Sequence, residues 1–128
     1  MSRRTIHDLL DEARRGLLRL APDEAFRAMG EGSAVLVDTR ADEQRREQGA
    51  IPGAREYPLS VLEWVLDPTS PHRDSDVHLD AWVVLICAEG YSSSLAAHRL
   101  QMLGFEHATD VIGGVEAWKA AGLPVVPT

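Results

Sequence analysis

The chain has one cysteine, Cys87, and the stretch Cys87-Ala88-Glu89-Gly90-Tyr91-Ser92-Ser93 sets a nucleophilic sulfur beside a glycine and two serine hydroxyls. One thiol excludes an intramolecular disulfide and a cysteine-based zinc cluster. The chemistry left to it is that of a thiolate, which attacks an electrophile and carries a covalent intermediate on sulfur. A thiolate forms where N–H donors converge on the sulfur or where a helix N-terminus faces it. Gly90 allows the turn this requires, and Ser92, Ser93 and Ser94 are residue types that cap helices, so the stretch reads as a loop entering a helix with backbone N–H groups around the sulfur. The same donors would hold a bound oxyanion. Glu89 opposes thiolate formation unless its carboxylate points to solvent, and a buried, unreactive Cys87 ending a core strand is the plain alternative.

Other groups of suitable type are less well placed. His72, Asp74, Asp76, His78 and Asp80 alternate, and an extended strand would put all five on one face as metal ligands, but they lie in a polar segment where Asp is an ordinary turn residue. A calcium loop counted from Asp74 fails at Leu79 and Leu85, where Gly and Glu are needed. His98 and His107 stand alone. Asp38 and Arg40 read as a pair pinning a strand end, and Trp64 as a packing residue rather than a pocket wall. No metal or organic cofactor is expected.

The elements that must position Cys87 are legible from periodicity. Ile6, Leu9, Leu10, Ala13 and Leu17 recur at helical spacing behind a Thr5/Asp8 capping pair. A second helix starts at Pro22 and stops at Gly30, a strand follows over Ala34-Val35-Leu36-Val37, and residues 41–48 form a polar surface helix. Gly49-Ala50-Ile51-Pro52-Gly53-Ala54 is a turn, and Leu59, Leu62 and Leu66 mark a short helix. Residues 67–80 form a long surface loop of the kind that often serves as a lid. Trp82-Val83-Val84-Leu85-Ile86 is apolar on both faces, as a central parallel strand should be, and places Cys87 at its C-terminal end, where open α/β sheets bind ligands. A helix with Ala96, Leu100 and Leu103 on one face ends near Gly104. A last unit has residues 108–112 as strand, Gly113-Gly114 as turn and residues 115–120 as helix. The alternation predicts an α/β fold with a central, mostly parallel sheet flanked by helices.

Composition agrees with one domain: 128 residues, 45% hydrophobic and 26% charged. A net charge of -7 disfavours nucleic acid and anionic membrane surfaces as partners. The longest apolar run, residues 81–88, is far shorter than the roughly 18 residues of a membrane span, and the N-terminus carries alternating charge where an export signal needs an apolar stretch. A cytoplasmic location is the resulting default.

Three segments, in order and spacing, resemble single-domain rhodanese-like sulfurtransferases: Val35-Leu36-Val37-Asp38-Thr39-Arg40 the first strand signature, Gly49-Ala50-Ile51-Pro52-Gly53-Ala54 the Gly-His-Ile-Pro-Gly-Ala turn, and Gly113-Gly114-Val115-Glu116-Ala117-Trp118 the C-terminal signature. The resemblance covers about residues 17–126 and implies a rhodanese-like domain at 17–128 behind an N-terminal helical extension at 1–16. It implies that Cys87 accepts a sulfane sulfur as a persulfide and passes it to a nucleophilic acceptor. Ala88, Glu89, Gly90, Tyr91, Ser92 and Ser93 would be the substrate-binding loop. The implied partners are a small-molecule sulfur donor, a thiol acceptor and a possible protein acceptor. Many such proteins carry a basic residue at the position of Ser92, whereas this loop has no Lys or Arg. Neutral donors suit a less charged sulfur source, so thiosulfate is expected to serve less well than a persulfide or polysulfide. Cysteine phosphatases of related type use Cys-x5-Arg, and the corresponding position is Ser93, which argues against phosphoryl chemistry. Ala50 replaces the turn's His, a structural change. The rival reading is a non-catalytic rhodanese-like binding or redox-regulatory module.

Overall fold

The computed structural model describes residues 2–128. Its centre is a pair of parallel strands, β1 (Ala34–Asp38) and, later in the chain, β3 (Trp82–Ile86), joined along their full length from Ala34 opposite Trp82 to Asp38 opposite Ile86. A two-residue strand β2 (Arg55–Glu56) lies outside β1, and β4 (Thr109–Asp110) lies outside β3, giving the order β2-β1-β3-β4 with every pair parallel. Parallel strands end at one edge of the sheet, so Asp38, Cys87 and Asp110 come to the same side although they are far apart in sequence.

Both faces of the sheet are covered, which is why the central strand β3 is apolar throughout and β1 is apolar up to Val37. On β3, Val83 and Leu85 face a core that includes Leu62, Leu66, Ala96, Leu100 and Phe105 from α4 (Leu62–Leu66), α5 (Ser92–Met102) and the turn after it. Val84 and Ile86 face the opposite core, where α2 (Pro22–Gly30) contributes Ala25 and α6 (Gly114–Ala120) contributes Val115 and Trp118. The first helix, α1 (Ile6–Arg15), closes the expected Thr5/Asp8 capping box and packs on α5, burying Leu10 and Ala13. The polar helix α3 (Asp42–Gln48) lies at the surface, with Arg45 as its one buried residue.

Several elements differ from the sequence expectation, each for a local reason. The last strand is shorter than residues 108–112, because beyond Asp110 the chain pairs with Leu20, whose N–H donates to Asp110 O and whose carbonyl accepts from Ile112 N, ahead of the positive-φ pair Gly113 and Gly114. Gly30 is the last residue of α2 rather than its stop, and Glu31 follows as the cap. The serines after Tyr91 do not cap α5, whose cap residue is Tyr91 and which begins at Ser92. The strand β2 is too short to leave a periodic signal. Residues 67–80 are turn-rich as expected, but the segment is anchored. Val77 is buried, and Asp74 takes hydrogen bonds from both Arg55 and Tyr57. Asp74 therefore serves the fold, and among the described residues no three His, Cys, Asp or Glu side chains are grouped to hold a metal. No helix among the described residues is long and apolar enough to cross a membrane.

Candidate active site

Cys87 follows the last residue of β3 and is 6% exposed. The chain then turns tightly through Gly90, whose φ of +88° is open to glycine and strained for other residues, before entering α5. The geometry of this loop follows from where its carbonyls go. Cys87 O accepts from Val115 N at 2.8 Å and Ala88 O from Glu116 N at 3.1 Å, both in the first turn of α6. Gly90 O accepts from Arg14 Nη2 at 2.8 Å and Arg19 Nη2 at 3.1 Å. With these carbonyls tied outward, an N–H is left to face the sulfur, and Gly90 N donates to Cys87 Sγ at 3.2 Å.

The Gly113-Gly114 turn makes this packing possible. A Cβ on Gly114 would overlap Cys87 O and stand 2.7 Å from Gly90 N, and one on Gly90 would stand 2.7 Å from Gly113 N. Backbone meets backbone here with no room for a side chain.

The serines complete the site from the α5 side. Ser93 Oγ lies 3.2 Å from Cys87 Sγ and donates to Asp110 Oδ2 at 2.7 Å, and Ser94 Oγ donates to the same oxygen at 2.7 Å. Asp110 is fully buried at the end of β4, and Arg19 grips it with Nε at 2.8 Å from Oδ1 and Nη2 at 3.3 Å from Oδ2. Arg14 Nε donates to Ser94 Oγ at 3.0 Å. A continuous chain of hydrogen bonds thus runs from the sulfur through Ser93 and Asp110 to two arginines. Burial pushes the Cys87 thiol up, but hydrogen bonds from Ser93 and Ser92 and from the Gly90 N–H outweigh it, and the net effect holds the thiol below its ordinary range.

Of the residues singled out from sequence, Cys87, Gly90, Ser92 and Ser93 come together around the sulfur, with Ala88 half-buried between them. Glu89 is exposed. Tyr91 is 57% exposed, with the Arg14 guanidinium 6.0 Å from its ring centre. Asp38 and Arg40 form a fully buried pair at 2.7 Å, and Arg40 also bonds Gly49 O, fixing the end of β1 to the turn beyond α3. Trp64 departs from the packing expectation: it is 59% exposed and borders a surface cleft of about 350 Å³ with Pro71 and Leu103. His98 is half-buried and His107 exposed, and neither adjoins the sulfur's hydrogen-bond chain.

Sequence reading missed Asp110, Arg19, Arg14 and Ser94. One signal was present, since Asp110 interrupts the apolar run over residues 108–112, and an acid at a core position needs a cation or several donors. Nothing in the spacing identified Arg14 or Arg19 as those partners.

Comparison with known proteins places these features in context. A family model for the rhodanese-like domain matches residues 21–121. The thiosulfate sulfurtransferase GlpE of Pseudomonas putida is 36% identical over 103 residues, which is 80% of this chain and 84% of that protein. The adenylyltransferase and sulfurtransferase uba4 of Ogataea parapolymorpha is 36% identical over 84 residues, and the match spans 65% of this chain but only 19% of that longer protein. Among solved structures, RPA3614 of Rhodopseudomonas palustris, a protein of unknown function described as a possible tyrosine phosphatase, superposes with a TM-score of 0.88 at 32% identity. The match covers 98% of this chain and 96% of the other.

Proposed function

The chain belongs to the rhodanese-like domain family, and from that premise we propose that it is a sulfurtransferase in which Cys87 carries the transferred sulfur. The observation that carries this reading is the sulfur itself, held by Gly90 N–H and Ser93 Oγ, each at 3.2 Å, with its thiol pushed toward ionisation. Sulfurtransferases among the relatives support the reaction class.

The reaction proceeds in two displacements. The Cys87 thiolate attacks the outer sulfur of a persulfide, polysulfide or thiosulfate donor. A new S–S bond forms, the donor's S–S bond breaks, and its electron pair leaves with the thiolate, the polysulfide shortened by one sulfur, or sulfite. An acceptor thiolate then attacks the outer sulfur of the Cys87 persulfide, and Sγ departs as thiolate. No external oxidant or reductant enters. Ser93 has a single hydroxyl proton. While Cys87 is a thiol, its S–H donates to Ser93 Oγ and the Ser93 hydroxyl points to Asp110. When Cys87 is anionic, that hydroxyl turns to the sulfur, and Asp110 stays satisfied by Ser94 and Arg19. The persulfide is stabilised in the same way, by donors aimed where negative charge develops.

Phosphatase chemistry is a poorer fit. It needs a guanidinium within the loop to clamp phosphoryl oxygens, whereas Arg14 and Arg19 approach from outside and are engaged on the Gly90 carbonyl. A loop with no Lys or Arg of its own favours a persulfide or polysulfide over thiosulfate, and higher turnover on thiosulfate would overturn that preference. Intact-protein mass spectrometry after incubation with each donor, comparing wild type with Cys87→Ser, tests the central intermediate. A gain of one sulfur that requires Cys87 and is removed by cyanide or a thiol is expected. No gain from any donor would reject the enzyme reading in favour of a binding module.

A further inference from the structure

We infer that Arg14 and Arg19, both N-terminal to the family match at residues 21–121, are positioning residues of the Cys87 loop and supply the cationic wall that the loop lacks. The inference rests on the sulfur-transfer reading for its substrate class, an anionic sulfur donor or acceptor. The loop's anchors are of two kinds. The carbonyls of Cys87 and Ala88 are held by backbone N–H groups of α6, which no side-chain change removes. Among the described residues the carbonyl of Gly90 is held only by side chains, and both come from the N-terminal segment. Gly90 is also the residue whose N–H meets the sulfur. Fixing its carbonyl outward fixes the turn that presents this donor, so the grip of Arg14 and Arg19 is transmitted through one residue to Cys87 Sγ.

The two arginines differ in charge balance. Arg19 is paired with the buried carboxylate of Asp110. Arg14 makes no ion pair among the described residues. Its contacts are the Gly90 carbonyl, the Ser94 hydroxyl and the Tyr91 ring, all neutral. It is half-buried between α1 and α5, where salt screens a charge less than at an open surface. The remaining charged groups about the loop are acids: Glu89, exposed, and Glu116, which accepts from Gln48 on the α6 side. Arg14 is therefore the cation behind the loop with no ion-pair partner among the described residues, and α1 takes the place of a basic residue at Ser92.

The test uses the intact chain and the Arg14→Met and Arg14→Lys variants. Cys87 is alkylated with neutral iodoacetamide and with anionic iodoacetate across pH, at low and high salt. For R14M the pH midpoint of alkylation should rise, and the iodoacetate-to-iodoacetamide rate ratio should fall roughly threefold or more at low salt, the scale of one partly screened charge nearby. High salt should narrow the difference. R14K, which keeps the charge but cannot bridge Gly90 and Ser94, should restore the ratio while leaving the midpoint raised. In sulfur transfer, R14M should raise KM for thiosulfate more than it lowers kcat. A midpoint and a ratio both unchanged in R14M, with native thermal melting, would overturn the inference, and R14K decides the matter if R14M misfolds. Alkylation requires no turnover, so failure of the persulfide experiment and failure of this one are separate results.

Discussion

Asp110→Asn tests the hydrogen-bond chain behind the sulfur most directly. The carboxylate is fully buried and accepts from Ser93 and Ser94, each at 2.7 Å, and from Arg19 at 2.8 and 3.3 Å. An amide presents one acceptor and one donor in the same space. If its NH2 group faces Arg19, donor meets donor. If it faces the serines, their hydroxyls turn round to accept, and Ser93 is freed to donate to Cys87. In both cases Arg19 loses its counter-charge. Breaking a buried ion pair from one side costs about 3–5 kcal/mol. The Arg19 side chain keeps 17% of its surface exposed and so recovers some hydration, which brings the expected loss to about 2–4 kcal/mol. For a domain of this size that is a fall in Tm of roughly 6–15 °C. The assay is denaturant unfolding of wild type, D110N, Arg19→Met and the double variant. A coupling of about 1.5 kcal/mol or more should separate the double variant from the sum of the singles. A loss below about 1 kcal/mol for D110N, or singles that simply add, would refute the view that this carboxylate and Arg19 act as a unit.

Ser93→Ala removes a donor to the sulfur and should move the pH midpoint of Cys87 alkylation upward at a stability cost of about 1–2 kcal/mol, read by iodoacetamide kinetics and melting; an unmoved midpoint would exclude Ser93 as a support of the thiolate. Gly114→Ala places a methyl group against Cys87 O and Gly90 N at a φ of +60°, so a loss of about 2–4 kcal/mol and slower alkylation of Cys87 are expected, and wild-type values for both would contradict the close approach. Because folding lowers the Cys87 pKa, the native thiolate adds stability that is present above the unfolded thiol's range and is lost as pH falls through the native value. The stability gap between wild type and Cys87→Ser should accordingly widen as pH rises toward the ordinary thiol range, and a gap independent of pH would rule the linkage out.

Legibility in the sequence depended on how local each feature is. The apolar run ending at Ile86 located the central strand and placed Cys87 at the C-terminal edge of the sheet, because a strand buried on both faces leaves a continuous signal. The Thr5/Asp8 box was legible because its partners stand close in sequence, and the Gly113-Gly114 turn because adjacent glycines mark a turn by themselves. Ser93 and Ser94 have the composition of helix caps, but a buried carboxylate from a strand 16 or 17 residues later claims their hydroxyls. Arg14 and Arg19 lie more than 70 residues from the carbonyl they hold, and no periodicity reports a contact made across the sheet edge. The long loop at residues 67–80 has a lid's composition, yet Asp74 fastens it to β2 and its neighbour Tyr57, a partnership set by register rather than by sequence distance.

The anchors of the Cys87 loop come from opposite ends of the chain, residues 14 and 19 on one side and residues 113–116 on the other. During synthesis the cysteine emerges before α6, and until the loop is closed around it the sulfur lacks the donors of Gly90, Ser92 and Ser93 and has the acidity of an ordinary thiol. The lowered pKa of the thiol is thus acquired only as a property of the closed fold. Contacts so distant in sequence form late and slowly. Pulse alkylation during refolding would therefore show the thiol sharpening in step with the burial of Trp118, so that one cysteine reports when both termini have come home.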